Sequence, residues 1–227
     1  MTVAVLVSSN GAIFRYALRI LRECGSAVDF IMISDRECNA EKIAGDFSLP
    51  LIRICPKNNQ DFSAKCKEYL DGIGEISAVM TFVWRLVTKE LINAYPCVNI
   101  HPALLPAFRG FHAIEQAFDA RVKFFGSTLH MADEEMDHGE IIAQIQAPTI
   151  MGSSLAEMTE TVFIQDIYLF LLFIDLLERE QLKVYPKAKC KLFGSTQFTD
   201  RCNPSIENEK YLRAIQKLQI EKGLKVI

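Results

Sequence analysis

The 227-residue chain is short of several things that would announce a function. Its 25 Lys and Arg are outnumbered by 28 Asp and Glu, for a formal net charge of −3, and no long basic run occurs. The electrostatic footprint of a general nucleic-acid binder is therefore missing, and a small molecule is the expected partner. Seven cysteines (24, 38, 55, 66, 97, 190 and 202) are odd in number, widely spaced and never arranged C-x-x-C. That excludes an evident disulfide framework or zinc ribbon and suits reduced thiols in the cytoplasm. The first residues, MTVAVLVSSNG, lack a basic leader and run straight into a strand-like segment, which argues against a signal peptide. The most apolar later stretch, Val162 to Leu177, is too short to span a bilayer comfortably and carries Gln165, Asp166 and Asp175, so it reads as a core helix. No G-x-G-x-x-G follows the first strand-like run, and no Walker A lysine motif is found.

What the chain does have is a pattern. Half of its residues are apolar, enough for one well-buried core. Over the first 125 residues, β-rich runs (Val3 to Val7, Val28 to Ser34, Leu51 to Ile54, Ser77 to Phe82 and Val98 to His101) alternate with amphipathic stretches. In the first of these stretches Ile13, Phe14, Ala17, Leu18 and Leu21 share a side. The pattern predicts an α/β fold, a doubly wound, mostly parallel sheet with helices on both faces. FGSTLHMA and EIIAQIQAPTI read as two further strands joined by the acidic DEEMDHG, and Ser154 with Glu157 predicts a capping box opening a helix that ends near Arg179. A change of composition near Pro186 divides the chain into residues 1–185 and a C-terminal extension, 186–227. The extension is expected to hold a short strand or hairpin, then a helix opened by Asn203-Pro204 that presents Tyr211, Leu212, Ile215 and Leu218 on one side.

Doubly wound sheets bind ligands at the carboxyl ends of their strands. Three segments qualify: SSNGA after the first strand, VWRLV after the fourth, and NIHP at the end of the fifth. Residues two apart on a strand share a face, so Asn99 and His101 lie side by side, and Pro102 stops the ladder there. An amide and an imidazole aimed at one point suit a developing oxyanion, although a polar turn with a satisfied buried histidine fits equally. Asp137, in MDHGE, is either a turn residue or a carboxylate able to favour imidazolium and relay a proton. Trp84, the only tryptophan, is either a core residue or one wall of a slot for a flat heterocycle. SSNG, with Asn10 and Gly11, is either an ordinary tight turn or a helix N-terminus offering N–H groups to an anion. His130, Asp133, Asp137 and His138 can be drawn as a metal site, but carboxylates on an acidic loop are usually solvated, and no metal is expected.

Taken together, NIHPALLPAFRG, HMADEEMDHGEII and SAVMTFVWRLVT resemble the folate-dependent formyltransferase family over about residues 1–180, with 36 residues from His101 to Asp137. The resemblance implies a Rossmann-like formyltransferase fold and 10-formyltetrahydrofolate as co-substrate. It implies Asn99, His101 and Asp137 as the catalytic trio of formyl transfer to the primary amine of a small molecule. It places the pterin between Trp84, Arg85, Leu86 and Val87 and the loop beginning Ala132, Asp133, Glu134 and Glu135. The acceptor side falls to Asn10, Gly11, Ala12, Arg109 and His112.

Two departures bear on the acceptor. Where glycinamide ribonucleotide formyltransferases carry Gly-Ser-Asn for a phosphate, this chain has Gly11-Ala12-Ile13, and their acceptor-side acid falls near Ile164, with Asp166 close by if the alignment slips. Phe108-Arg109-Gly110 is closer to the amino-sugar and methionyl-tRNA branches. A tRNA acceptor needs an RNA-binding domain and positive charge, for which the extension is too short. A nucleotide-linked amino sugar is thus the leading acceptor, with glycinamide ribonucleotide close behind. A 10-formyltetrahydrofolate hydrolase and a non-catalytic ligand-binding module are the alternatives. A homodimer is left open, and neither a membrane nor a nucleic-acid partner is expected.

Overall fold

A computed structural model describes residues 1–194 and 196–223. The elements run β1 (Thr2–Val7), α1 (Ala12–Cys24), β2 (Asp29–Ser34), α2 (Glu41–Phe47), β3 (Leu51–Arg53), α3 (Asn59–Asp71), β4 (Ala78–Phe82), α4 (Lys89–Ile92) and β5 (Cys97–His101). There follow α5 (Ala113–Asp119), β6 (Phe124–Met131), β7 (Ile141–Pro148), α6 (Leu155–Glu178), β8 (Leu182–Tyr185), β9 (Lys189–Leu192), β10 (Cys202–Asn203) and α7 (Glu209–Glu221).

Eight strands form one sheet in the order β10-β7-β6-β5-β4-β1-β2-β3. The five strands β1 to β5 are mutually parallel, and β6, β7 and β10 extend the sheet antiparallel beyond β5. The expected mostly parallel α/β sheet is what the chain forms. The chain winds outward from β1 through β2 to β3 and then crosses back to β4, so the crevice at the carboxyl ends of β1 and β4 is the switch point where such sheets take ligands.

Two apolar cores flank the sheet. One joins α1, α6 and α7 to the face carrying Val98 and Ile100, and the other joins α3 and α4 to the face carrying Ala4, Leu6 and Val79. Helix α6 opens with the anticipated box: Glu157 N–H donates to Ser154 Oγ, and Ser154 N–H donates to the Glu157 carboxylate. From Ile164 to Leu176 every residue of α6 is buried, because the helix is enclosed by the sheet, α1 and α7. That enclosure explains its nearly unbroken apolar character. Among the described residues no helix is long and apolar enough to cross a membrane.

The C-terminal segment differs from expectation at its start. Helix α7 begins at Glu209, and Asn208, whose side chain accepts from Lys210 N–H, caps it; Asn203 instead pairs with Gln144 of β7. The reason is anchoring. Ile206 N–H donates to Tyr168 Oη, and Glu207 N–H donates to the buried Asp175, which holds residues 205–208 extended against α6 before the helix can start. Tyr211, Ile215 and Leu218 then join the core of α1 and α6. Pro186 lies in the turn of the β8–β9 hairpin, so a division there passes through a two-stranded unit.

Candidate active site

A cavity of about 560 Å³ opens at the carboxyl ends of β1, β4 and β5. Ser9 to Phe14 form one rim and Thr81 to Val87 the next. Asn99 to Pro102, Gly110 to Ala113, and Ala132, Asp133, Met136 and Asp137 complete that side, while His130, Phe163 and Asp166 also reach it.

The strand alternation brings Asn99 and His101 to one face, opposite Val98 and Ile100. Asp137 reaches them from the loop between β6 and β7. Its Oδ2 stands 3.2 Å from His101 Nδ1 and accepts Gly110 N–H at 2.8 Å, with both side chains almost fully buried. His101 Nε2 stands 2.8 Å from the Phe108 carbonyl. Both ring nitrogens of His101 therefore face oxygen acceptors, an arrangement that two N–H donors satisfy in full. In this conformation the Nε2 donor is held by the 104–112 loop instead of pointing free into the cavity.

His130 completes the cluster. The register pairs it with Asn99 across β5 and β6. Its Nδ1 faces the Met131 carbonyl at 2.8 Å and so carries the proton, which leaves Nε2 to accept from Asn99 Nδ2 at 3.2 Å. Burial pushes the His130 imidazole below its ordinary value, in keeping with that neutral form. Thr81 Oγ1, 3.2 Å from Asn99 Oδ1, holds the other end of the amide, so one Asn99 N–H stays uncommitted. His130 enters the sequence reading only as a doubtful metal ligand. Its role as orienter shows only once the antiparallel register is known. Among the described residues no group of three or more His, Cys, Asp or Glu is placed to hold a metal ion.

The walls are apolar and partly open. Trp84 is 63% exposed, stacked on Phe111 with ring centroids 6.3 Å apart, so it stands at the mouth and is no core residue. Arg85 is tied by its Nε to the buried Asp35, and with Leu86 and Val87 it lines the cavity. Asn10, Gly11, Ala12 and His112 also line it, the Asn10 side-chain Oδ1 accepting Ala12 N–H at the start of α1.

Three expected residues are elsewhere. The Arg109 guanidinium turns to His138 Nε2 at 2.6 Å, while Glu134 and Glu135 sit exposed on the crest of the acidic loop. None of the three lines the cavity. Met136, Thr81, Phe111 and Phe163 do, and no local sequence signal marks them.

Loop 132–139 is held shut by Gly139, where an added Cβ would stand 1.7 Å from the Met131 carbonyl oxygen. Only glycine permits that approach, which fixes the Asp137-His138-Gly139 turn under His101.

A sheet wound this way, with a buried imidazole–carboxylate pair beside an amide at its switch point, is the architecture of a group-transferring enzyme. Residues 1–171 match the family described as formyl transferase, and the chain belongs to it. Members of this family take the formyl group from 10-formyltetrahydrofolate. The chain is 35% identical over 149 residues to phosphoribosylglycinamide formyltransferase of Bacillus subtilis (strain 168), covering 62% of this chain and 76% of that protein. It is 29% identical over 168 residues to the trifunctional purine biosynthetic protein adenosine-3 of Bos taurus, covering 70% of this chain and only 16% of that longer protein. The solved glycinamide ribonucleotide transformylase 1 of Symbiobacterium toebii superposes with a TM-score of 0.76 at 26% identity, over 86% of this chain and 94% of that one.

Proposed function

We propose that the chain transfers the formyl group of 10-formyltetrahydrofolate to the primary amine of a small molecule, with Asn99, His101 and Asp137 carrying the step. The observation behind this reading is the convergence of amide, imidazole and carboxylate, drawn from two distant stretches, at one cavity. The acceptor nitrogen attacks the formyl carbon, and the carbonyl oxygen becomes an oxyanion. The free N–H of Asn99 and a protonated His101, released from Phe108, stabilise that charge. Asp137 holds the imidazolium and takes the proton lost by the attacking nitrogen. Collapse breaks the bond to N10, which leaves protonated as tetrahydrofolate. The apolar walls at Leu86, Val87 and Ala132 suit a flat pterin, and Trp84 with Phe111 suits the ring that follows it.

The names of the relatives support glycinamide ribonucleotide as the acceptor ahead of a nucleotide-linked amino sugar. Its phosphate would meet Ser9 and the first-turn N–H groups of α1, where Ile13 and Phe14 have no helical acceptor. We place the reaction in the cytoplasm, in keeping with seven free cysteines. The test is a panel of amines incubated with 10-formyltetrahydrofolate, following the release of tetrahydrofolate and of formate. Amine-dependent release with a formylated product is expected. Formate release at a rate indifferent to every amine would make the protein a hydrolase, and folate binding without either product would leave a binding module.

A further inference from the structure

The segment between β4 and α4 lines the cavity, yet Val83 to Val87 belong to no helix or strand. What fixes it is a carboxylate directly after β2. The Asp35 side chain is fully shielded from solvent, and its Oδ2 accepts Arg85 Nε at 2.7 Å and Arg36 Nη2 at 2.8 Å, while Oδ1 accepts Arg36 Nε at 3.0 Å. The Ser8 hydroxyl, directly after β1, donates to the same carboxylate, and its oxygen accepts Trp84 N–H at 3.0 Å. Beyond Val87, Thr88 N–H donates to the buried Ser63 Oγ at 2.9 Å. Leu86 and Val87 are thus suspended between two anchored ends.

Burial alone would raise the Asp35 carboxyl, and hydrogen bonds from Arg36, Ser8 and Arg85 bring it below its ordinary value, so it is charged throughout the neutral range. A charge buried in this way is a poor device for stability, because apolar side chains of similar volume commonly pack in such a place at no loss. What it provides is a fixed point. One carboxylate joins the carboxyl ends of β4, β1 and β2, three neighbouring strands at the switch point. Two of its partners, Ser8 and Arg85, lead into the segment that lines the cavity, whereas Arg36 is half exposed and does not line it.

We propose that Asp35 is a positioning residue for the formyl donor: acting through Arg85 and Ser8, it holds residues 84–87 at the separation from Phe111 and Ala132 that admits a folate. This rests on the reading of that segment as the donor wall in formyl transfer. Asp35 does not itself line the cavity, so its effect falls on affinity for the donor and spares the acceptor. Loss of its charge frees the Arg85 guanidinium to turn to solvent and slackens the wall.

The test uses Trp84 as its probe, since the sole tryptophan of the chain sits in the segment at issue. Tetrahydrofolate is titrated into each protein and followed by tryptophan fluorescence. Its Kd for Asp35→Asn is expected to stand roughly 10- to 100-fold above wild type, the range for a charge-assisted hydrogen bond. KM for 10-formyltetrahydrofolate should rise in step, with KM for the amine within about twofold. Arg36→Gln, which removes only the half-exposed partner, should bind within about threefold of wild type. Arg85→Gln should weaken binding as Asp35→Asn does, and the double variant no more than either alone, as residues acting through one contact require. A Kd for Asp35→Asn within twofold of wild type overturns the proposal. So do additive losses in the double variant, a loss in Arg36→Gln as large as in Asp35→Asn, or donor and amine KM values rising together, the mark of a general loss of structure. Should Asp35→Asn fail to fold, Ser8→Ala and Arg85→Gln carry the test, and a Kd within twofold of wild type in both overturns it. Equal binding by wild type and Asp35→Asn refutes the role of Asp35 alone, whereas wild type that binds no folate refutes the donor wall and Asp35 with it.

Discussion

Replacing Asp137 by asparagine isolates the charge of the proposed relay from its hydrogen bonds. The same oxygen, Oδ2, accepts Gly110 N–H at 2.8 Å and faces His101 Nδ1 at 3.2 Å, so an asparagine carbonyl oxygen set there keeps both contacts. The new amide nitrogen takes the place of Oδ1, 3.6 Å from His130 Nε2, beyond hydrogen-bond reach, so it leaves the bond from Asn99 to that nitrogen in place. Packing is thereby retained and the negative charge is lost. General acid–base assistance of this kind contributes about 10²- to 10⁴-fold, and the same loss in kcat is expected. Converted, that is about 3–5 kcal/mol of barrier. The assay is tetrahydrofolate release at saturating donor and acceptor, with a thermal melt alongside. Asp137→Ala should lose as much activity and, unlike the asparagine variant, melt several degrees lower. It strands two buried donors, at about 1–3 kcal/mol each. Turnover of Asp137→Asn within tenfold of wild type would refute a role for the charge, whatever the melts show.

Gly139→Ala is expected to abolish turnover, because its Cβ collides with the Met131 carbonyl and drives the 132–139 loop away from His101; wild-type kcat in a folded variant would show that the loop has slack. His130→Leu leaves the Asn99 amide without its acceptor and should lower kcat at least tenfold with KM for the donor little changed, as read in steady-state kinetics. Trp84→Ala should raise KM for 10-formyltetrahydrofolate several-fold and leave the melting temperature within about 2 °C, since the ring is mostly exposed; an unchanged KM would remove Trp84 from the donor wall. Asp166, with its folded-state pKa raised from 3.8 to about 7, binds a proton in the folded state that the unfolded chain has released, so its contribution is lost as pH rises across that window. His130, lowered from 6.5, acts in the opposite sense and loses stability as pH falls below its unfolded value. The melting-temperature advantage of Asp166→Asn over wild type should therefore widen from pH 4 to 7 and then level off; a constant difference would contradict a buried, unpaired acid.

Much of the fold is legible because burial imposes period. Every strand of the parallel half was bounded to within one residue, and Ser154 with Glu157 caps α6 as its spacing requires. Asn99 and His101 were likewise readable as neighbours on one strand face. What stayed hidden depends on tertiary register. That His130 stands opposite Asn99 follows only from the antiparallel pairing of β5 and β6. The turn of α6 that meets the cavity is masked because the helix is apolar all round, so Asp166 has no contrasting face to mark it. Arg109 looked like a substrate ligand, yet His138 lies near enough to claim it. The late start of α7 escaped because Tyr168 and Asp175, which hold the preceding residues extended, lie more than thirty positions upstream.

The reversal of β6 has a consequence for how such an enzyme can vary. That strand finishes beside Val98, at the amino end of β5, while Asp137 must serve His101 at the other end. The connecting segment is therefore a ruler, pinned by Ala132 to the Cys97 carbonyl and by Gly139 to the Met131 backbone. One inserted residue adds up to about 3.5 Å of chain, more than the contact with His101 can absorb. Glu134 and Glu135 on its crest are free to drift in chemistry, but the number of residues between the two pins is not.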